Sequence, residues 1–242
     1  MVNLLSEPQA DSSTVLDDKK RIQLATLFLQ AGWKANESAS FSLGGAYLRK
    51  GIGLLPDGHW ERFYDTSLEL YSLAAEAEFV EGDVQNLEKH CNEIIAQKDR
   101  PIEDKFRAYN VLVDSISGRN MLTEAMDLIL SILFKLGCKL PKRGRMLHVI
   151  AGLVKAKAAT KHRTTKEISK MVMMTDPKKL QAMRLLNKLT TIAYYANSEL
   201  LPLAILKEMS WTIKYGISES SPPTFCAVGL ILLDTFGVRQ AT

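Results

Sequence analysis

Twice in this sequence a run of helically spaced apolar residues stops at a tight polar turn and a second apolar run returns. The first turn is at Gly82-Asp83 and the second at Asn120, 38 positions on (82 to 120). A helix that is apolar on one stripe must bury that stripe against a neighbour, so returning pairs at a fixed step predict stacked helical hairpins. The expected fold is all-α, a right-handed superhelix of antiparallel hairpins.

Composition agrees with long helices joined by short loops. Eight Pro and fourteen Gly in 242 residues are few for a sandwich or barrel, and 46% hydrophobic content supplies a packed core. Residues 1–16 are polar, lack an apolar signal-peptide run and read as a flexible segment. The longest apolar run, Cys226 to Leu233, is too short to span a bilayer, so no membrane role and a cytoplasmic location are expected. Cys91, Cys138 and Cys226 stand far apart, as reduced packing thiols do. His59, His90, His148 and His162 make no metal-ligand spacing, and the adjacent pair His90-Cys91 diverges by about 100° on a helix. Neither metal nor cofactor is expected.

Turn chemistry sets the expected element ends. Asp17-Asp18 opens a helix to about Ala35; a second runs from about Ser38 to Leu54, with Gly44 and Gly51 allowing close helix approach; Pro56-Asp57-Gly58 is a turn. The longest helix is expected from Trp60 to Glu81 and its return from 84 to 97, with Pro101 opening the next. After Asn120 a partner helix ends near Gly137. Thr164-Thr165-Lys166-Glu167 reads as a capping box, and Asp176-Pro177 as an N-cap with proline in the first turn. Two more helices are expected, Leu200 to Tyr215 and about Thr224 to Phe236. The organisation is therefore hairpins over 17–140, a basic connecting segment with short helices over 141–176 and helices that continue the solenoid over 177–242.

Tyr71, Ala75, Gly82, Leu87 and Ile94, then Tyr109, Asn120, Ala125 and Ile132, fall in the order that makes this region resemble tetratricopeptide repeats; a longer loop at Lys98 to Arg100 accounts for a step above the usual 34 or so residues. Over 17–236 the order of Ala46-Tyr47-Leu48, Gly51, Leu54-Leu55-Pro56, Tyr64-Asp65, Met174-Thr175-Asp176-Pro177, Ala193-Tyr194-Tyr195, Leu200-Leu201-Pro202-Leu203 and Tyr215-Gly216 resembles the helical-repeat region of large multidomain signalling ATPases. That resemblance implies a scaffold between a nucleotide switch and an output module, within a longer architecture. Nucleotide binding is not implied for this chain: no G-x-x-x-x-G-K-[ST] is present, and Gly44-Gly45 leads to Ala46 rather than a lysine.

No catalytic constellation is expected. Glu76 and Glu78, at i and i+2, point to different sides of a helix and read as solvated. Trp60, Tyr64 and Tyr71 read as core rather than as a peptide groove, and Met171, Met173 and Met174 as gap-filling near a helix junction. The basic segment is the candidate partner surface, through Lys142, Arg143, Arg145, Lys155, Lys161 and Arg163. A protein partner is favoured over nucleic acid, because net charge is only +4 and no aromatics interleave the cations. The expected function is a non-catalytic interaction scaffold; the alternatives are a free-standing peptide-binding adaptor and, less favoured, a nucleic-acid binder.

Overall fold

A computed structural model describes residues 12–141, 146–160 and 170–232. Among them are eleven α-helices and no strand: α1 (Ser12–Glu37), α2 (Phe41–Gly53), α3 (His59–Arg62), α4 (Tyr64–Glu81), α5 (Val84–Ala96), α6 (Phe106–Gly118), α7 (Leu122–Lys135), α8 (Met146–Thr160), α9 (Pro177–Tyr195), α10 (Leu200–Tyr215) and α11 (Ser221–Leu232). None is long and apolar enough to cross a membrane. The expected capping box at 164–167 and the far end of the last helix lie outside the described residues. The chain separates into two compact units, Met1–Leu112 and Val113–Thr242.

Five chain reversals are built alike. A residue in the left-handed region ends the helix, its amide donates to the carbonyl three residues back, and the next amide donates to the carbonyl five back. At Gly82 (φ 76°) these bonds run to Phe79 and, from Asp83, to Glu78; Asn120 (φ 61°), Gly137 (φ 77°) and Asn197 (φ 48°) repeat the pattern. The fifth is Ala39 (φ 58°), with Ala39 N to Asn36 O at 3.0 Å and Ser40 N to Ala35 O at 2.9 Å. Glycine and asparagine tolerate this backbone; alanine brings its Cβ against the carbonyl. Ala39→Gly is expected to raise stability by about 1 kcal/mol, read as a shift in urea midpoint with unchanged slope. An unchanged midpoint would mean that the turn is not strained.

In the first unit α2 runs back along α1, and glycines set their separation. A Cβ on Gly32 would lie 2.6 Å from Leu48 Cγ and 3.2 Å from Gly44 O, and one on Gly51 would lie 2.7 Å from Leu70 Cδ2 and 3.3 Å from Ala25 O. Arg21 closes the open end of this pair by donating to Leu54 O and Leu55 O at 3.2 and 3.1 Å. The expected close approach at Gly44 and Gly51 is therefore present.

The expected helix from Trp60 to Glu81 is two helices, and the longest is α1, with 26 residues. The break is Phe63 (φ −135°, ψ 44°). In one straight helix Trp60 and Tyr71 would stand about 16 Å apart along the axis. Here their ring centroids are 5.2 Å apart, and His59 stacks on Tyr71 at 5.9 Å, because α3 folds back onto α4. Pro101 likewise does not open a helix; a single 3₁₀ turn, Glu103–Lys105, intervenes before α6.

Most of α4 is enclosed, with a solvent stripe left at Asp65, Glu69 and Val80. Residues 70–75, Ala77 and Glu78 are buried, because α2 lies along one side, α5 along another, and α1 and α3 also touch it. This corrects the reading of Glu78 as solvated. Its carboxylate is fully enclosed and accepts from His90 Nδ1 of α5 at 2.8 Å, with Arg49 of α2 at 3.6 Å. Glu76 is half exposed but paired: Arg107 reaches it through Nε at 2.8 Å and Nη2 at 3.0 Å, and reaches Glu69 through Nη1 at 2.8 Å.

In the second unit α9 begins as the sequence predicts, with Asp176 accepting from Lys178 N and Lys179 N and Pro177 in the first turn. α9 packs against α7 and α10, and α10 also meets α8 and α11. Ile129, Ile132, Leu133, Met183, Leu185, Leu186, Leu189 and Met209 are the large side chains almost wholly removed from water, each contributing roughly 1.5–3 kcal/mol of transfer free energy. α10 ends at Gly216 (φ 108°), where a Cβ would lie 2.3 Å from Val172 O. There Ile217 N donates to Val172 O and Met174 N to Ile217 O, which fixes the segment before α9; Met174 is buried in this junction and Met173 is exposed.

Candidate functional site

A half-open groove of about 450 Å³ lies within the second unit, between α8, α10 and the segment Lys139–Pro141. Three separate pieces of chain meet to make it. The reversal at Gly137 turns the segment after α7, with Cys138 N donating to Leu133 O at 2.8 Å. Gly152 lets α8 approach α10, since a Cβ there would lie 2.8 Å from Leu206 Cδ1. On α10, positions 203, 206, 207, 210 and 213 share one helical face and line the groove from end to end.

The floor is apolar: Leu203, Leu206 and Met209 are buried, and Leu140 and Ile213 half-buried. The rim is cationic, with Lys139, Lys155 and Lys207, one from each piece of chain. Among the described residues no carboxylate lines the groove, and none of these lysines has a carboxylate partner. Lys139 lies 5.6 Å from the centroid of the Phe134 ring. Three other cations of this unit are matched, Lys188 with Asp114 at 2.5 Å, Lys179 with Asp176 at 2.6 Å and Arg184 with Glu219 at 3.8 Å, while Lys214 lies over the Tyr215 ring.

On the opposite face of α10 a polar seam runs through the core. Glu208, 1% exposed, meets Thr190 Oγ1 of α9 at 3.3 Å and Thr224 Oγ1 of α11 at 2.5 Å. One turn on, Thr212 meets Ser221 Oγ at 3.0 Å, and Ser221 Oγ accepts from Ser218 N at 2.9 Å. Thr224 Oγ1 also lies 2.8 Å from Ser220 O. A hydroxyl has one proton and a carbonyl only accepts, so a neutral Glu208 satisfies all three groups: its O–H donates to Thr224, which donates to Ser220. Burial pushes this carboxyl up to about 7, against its hydrogen bonds with Thr224 and Thr190, which act to lower it.

Of the candidate residues read from the sequence, Lys155 is on the groove rim. Lys142, Arg143, Arg145, Lys161 and Arg163 lie outside the described residues. Lys207 was missed, although a cation on the otherwise apolar face of Leu203, Leu206 and Ile213 was a usable signal; Lys139 lay at the edge of the basic segment without being singled out.

Among the described residues the remaining reactive side chains are absorbed by the fold, except that Cys226, expected as a packing thiol, is exposed. His59 Nδ1 lies 2.9 Å from Ser67 Oγ, but Ser67 is fully enclosed and its proton goes to Phe63 O at 2.9 Å. The imidazole therefore donates to the hydroxyl, the reverse of an activated serine. Burial lowers the His59 pKa, which favours the neutral ring. Burial pushes the thiols of Cys91 and Cys138 up to about 12, which removes thiolate reactivity. Trp60, Tyr64 and Tyr71 form an aromatic cluster with His59 and His90, with Tyr71 buried and the other two half-buried. Gly44 and Gly45 pack against Asn36 and Ala77. No group of three His, Cys, Asp or Glu among the described residues is placed to hold a metal ion. No protein-family profile, curated protein or solved structure matches the chain.

Proposed function

We propose that this chain is a non-catalytic protein-interaction scaffold, a tetratricopeptide-like stack of helical hairpins of the kind that couples a nucleotide switch to an output domain in large signalling ATPases. It works by holding a segment of a protein partner in the groove of the second unit. The observation that carries this reading is the groove itself: an apolar floor beneath three lysines that have no carboxylate partner among the described residues, open along one face of α10. Sites that recognise peptides combine an apolar trough with charges at its edge in this way. The antiparallel register of α1, α2, α4 and α5 supports the hairpin reading.

Selection of short random-sequence peptides on the folded chain is expected to enrich ligands that lose binding to the double variant Lys155→Glu/Lys207→Glu. Enrichment of nothing, or of peptides that bind the variant and the parent alike, overturns the reading. So does saturable ATP hydrolysis that follows the purified chain through successive columns.

A further inference from the structure

The geometry points to one class of occupant: an amphipathic helical segment of a protein, with a stripe of leucine or phenylalanine side chains flanked on both sides by aspartate and glutamate. This rests on the reading of the chain as a scaffold and gives that reading its partner chemistry. The length of the groove comes first. Its floor follows α10 from Leu203 to Ile213, about 15 Å at helical rise, which is the length of two to three turns of a docked helix. Side chains spaced at i, i+3, i+4 and i+7 on such a helix enter an apolar trough together. Ser210 and Ala151 are small residues on the walls, so a backbone can approach.

Charge selects the flanks. Lys139, Lys155 and Lys207 sit on three different pieces of chain and none meets a carboxylate among the described residues, whereas Lys179, Arg184 and Lys188 of the same unit do. A fatty carboxylate carries one anionic head and answers one ammonium group. A helix with acids on both edges of its apolar stripe answers all three while its stripe covers the floor. Burying the stripe alone would bring the ammonium groups beside an apolar body without compensation, so the acids are the part that discriminates between partners.

The test uses the full 242-residue chain and three labelled synthetic helices followed by fluorescence anisotropy: one with a leucine stripe and acidic flanks, one with the same stripe and lysine flanks, and one with acidic flanks and serine in place of leucine. The acidic leucine helix is expected to bind about tenfold more tightly than either control, and more weakly as salt rises. Lys155→Glu/Lys207→Glu is expected to reverse the preference between acidic and basic flanks. Ser210→Trp, at an exposed wall position, is expected to abolish binding while the urea midpoint stays in place. Equal binding of the acidic and basic leucine helices overturns the proposal, as does binding of the serine helix alone. Laurate that binds while the peptides do not would put a lipid-like carboxylate in the groove and also overturn it. If the selected random peptides lose binding to Lys155→Glu/Lys207→Glu without forming a helix, the scaffold reading stands and this partner chemistry falls.

Discussion

Glutamine in place of Glu208 is expected to stabilise the second unit at pH 8 and to leave it almost unchanged at pH 4. The carboxyl has a pKa of about 7 in the fold against an ordinary value of 4.5. Below 4.5 both folded and unfolded chains carry it neutral, and its contribution to stability is fully present. As pH rises from 4.5 the unfolded chain releases the proton while the folded one retains it, so stability falls until the folded carboxyl also ionises near 7. At about 1.4 kcal/mol per pH unit across that window the parent loses roughly 3 kcal/mol, and glutamine, which does not titrate, loses none of it. The amide also reproduces the neutral network: its carbonyl accepts from Thr190 and its N–H donates to Thr224, leaving the Thr224 hydroxyl for Ser220. Urea unfolding followed by hydrogen exchange in α10 at pH 4, 6 and 8 reads the difference. Parallel curves for parent and variant would show that the fold does not raise the Glu208 carboxyl above its ordinary range.

The largest loss is expected in the first unit, from His90→Leu. Glu78 is fully enclosed, and its close hydrogen bond is to His90 Nδ1, with Arg49 at 3.6 Å from its other oxygen. Leucine keeps apolar bulk beside Tyr71, whose ring meets the imidazole edge-on at 5.3 Å, but leaves the carboxylate buried without that donor. Removing one member of a buried pair costs about 3–5 kcal/mol, and replacing both by apolar side chains recovers most of it. Urea unfolding of His90→Leu and of Glu78→Leu/His90→Leu makes the comparison. A double variant no more stable than the single one would show that packing around the imidazole, and not the orphaned carboxylate, sets the cost.

Helix ends governed by local chemistry were legible in the sequence. Asp176-Pro177, Gly82-Asp83, Asn120 and the span Leu200–Tyr215 stand where turn and cap preferences put them. The break at Phe63 was not, because residues 60–81 keep good helical spacing across it; contact of Trp60 and His59 with Tyr71 is what bends the chain. Ala39 was hidden for the opposite reason, since no glycine or asparagine marks its turn. Glu78 read as a surface charge, and Glu208 was not singled out, because a period of 3.6 assigns a face but not how many faces are covered, and α4 and α10 are each enclosed by more than one neighbour. The groove shared only Lys155 with the residues chosen from sequence. A run of cations close together in the chain drew attention, while the rim is assembled from positions 139, 155 and 207, which only the tertiary fold brings together.

The layering of the first unit also bears on how it forms. α2 lies on α1, α4 on α2 and α5 on α4, so its native contacts join stretches that are close along the polypeptide and little loop-closing entropy is spent on each addition. A chain leaving the ribosome can set the α1–α2 pair before the residues of α5 have been made, each new helix docking on a surface already in place.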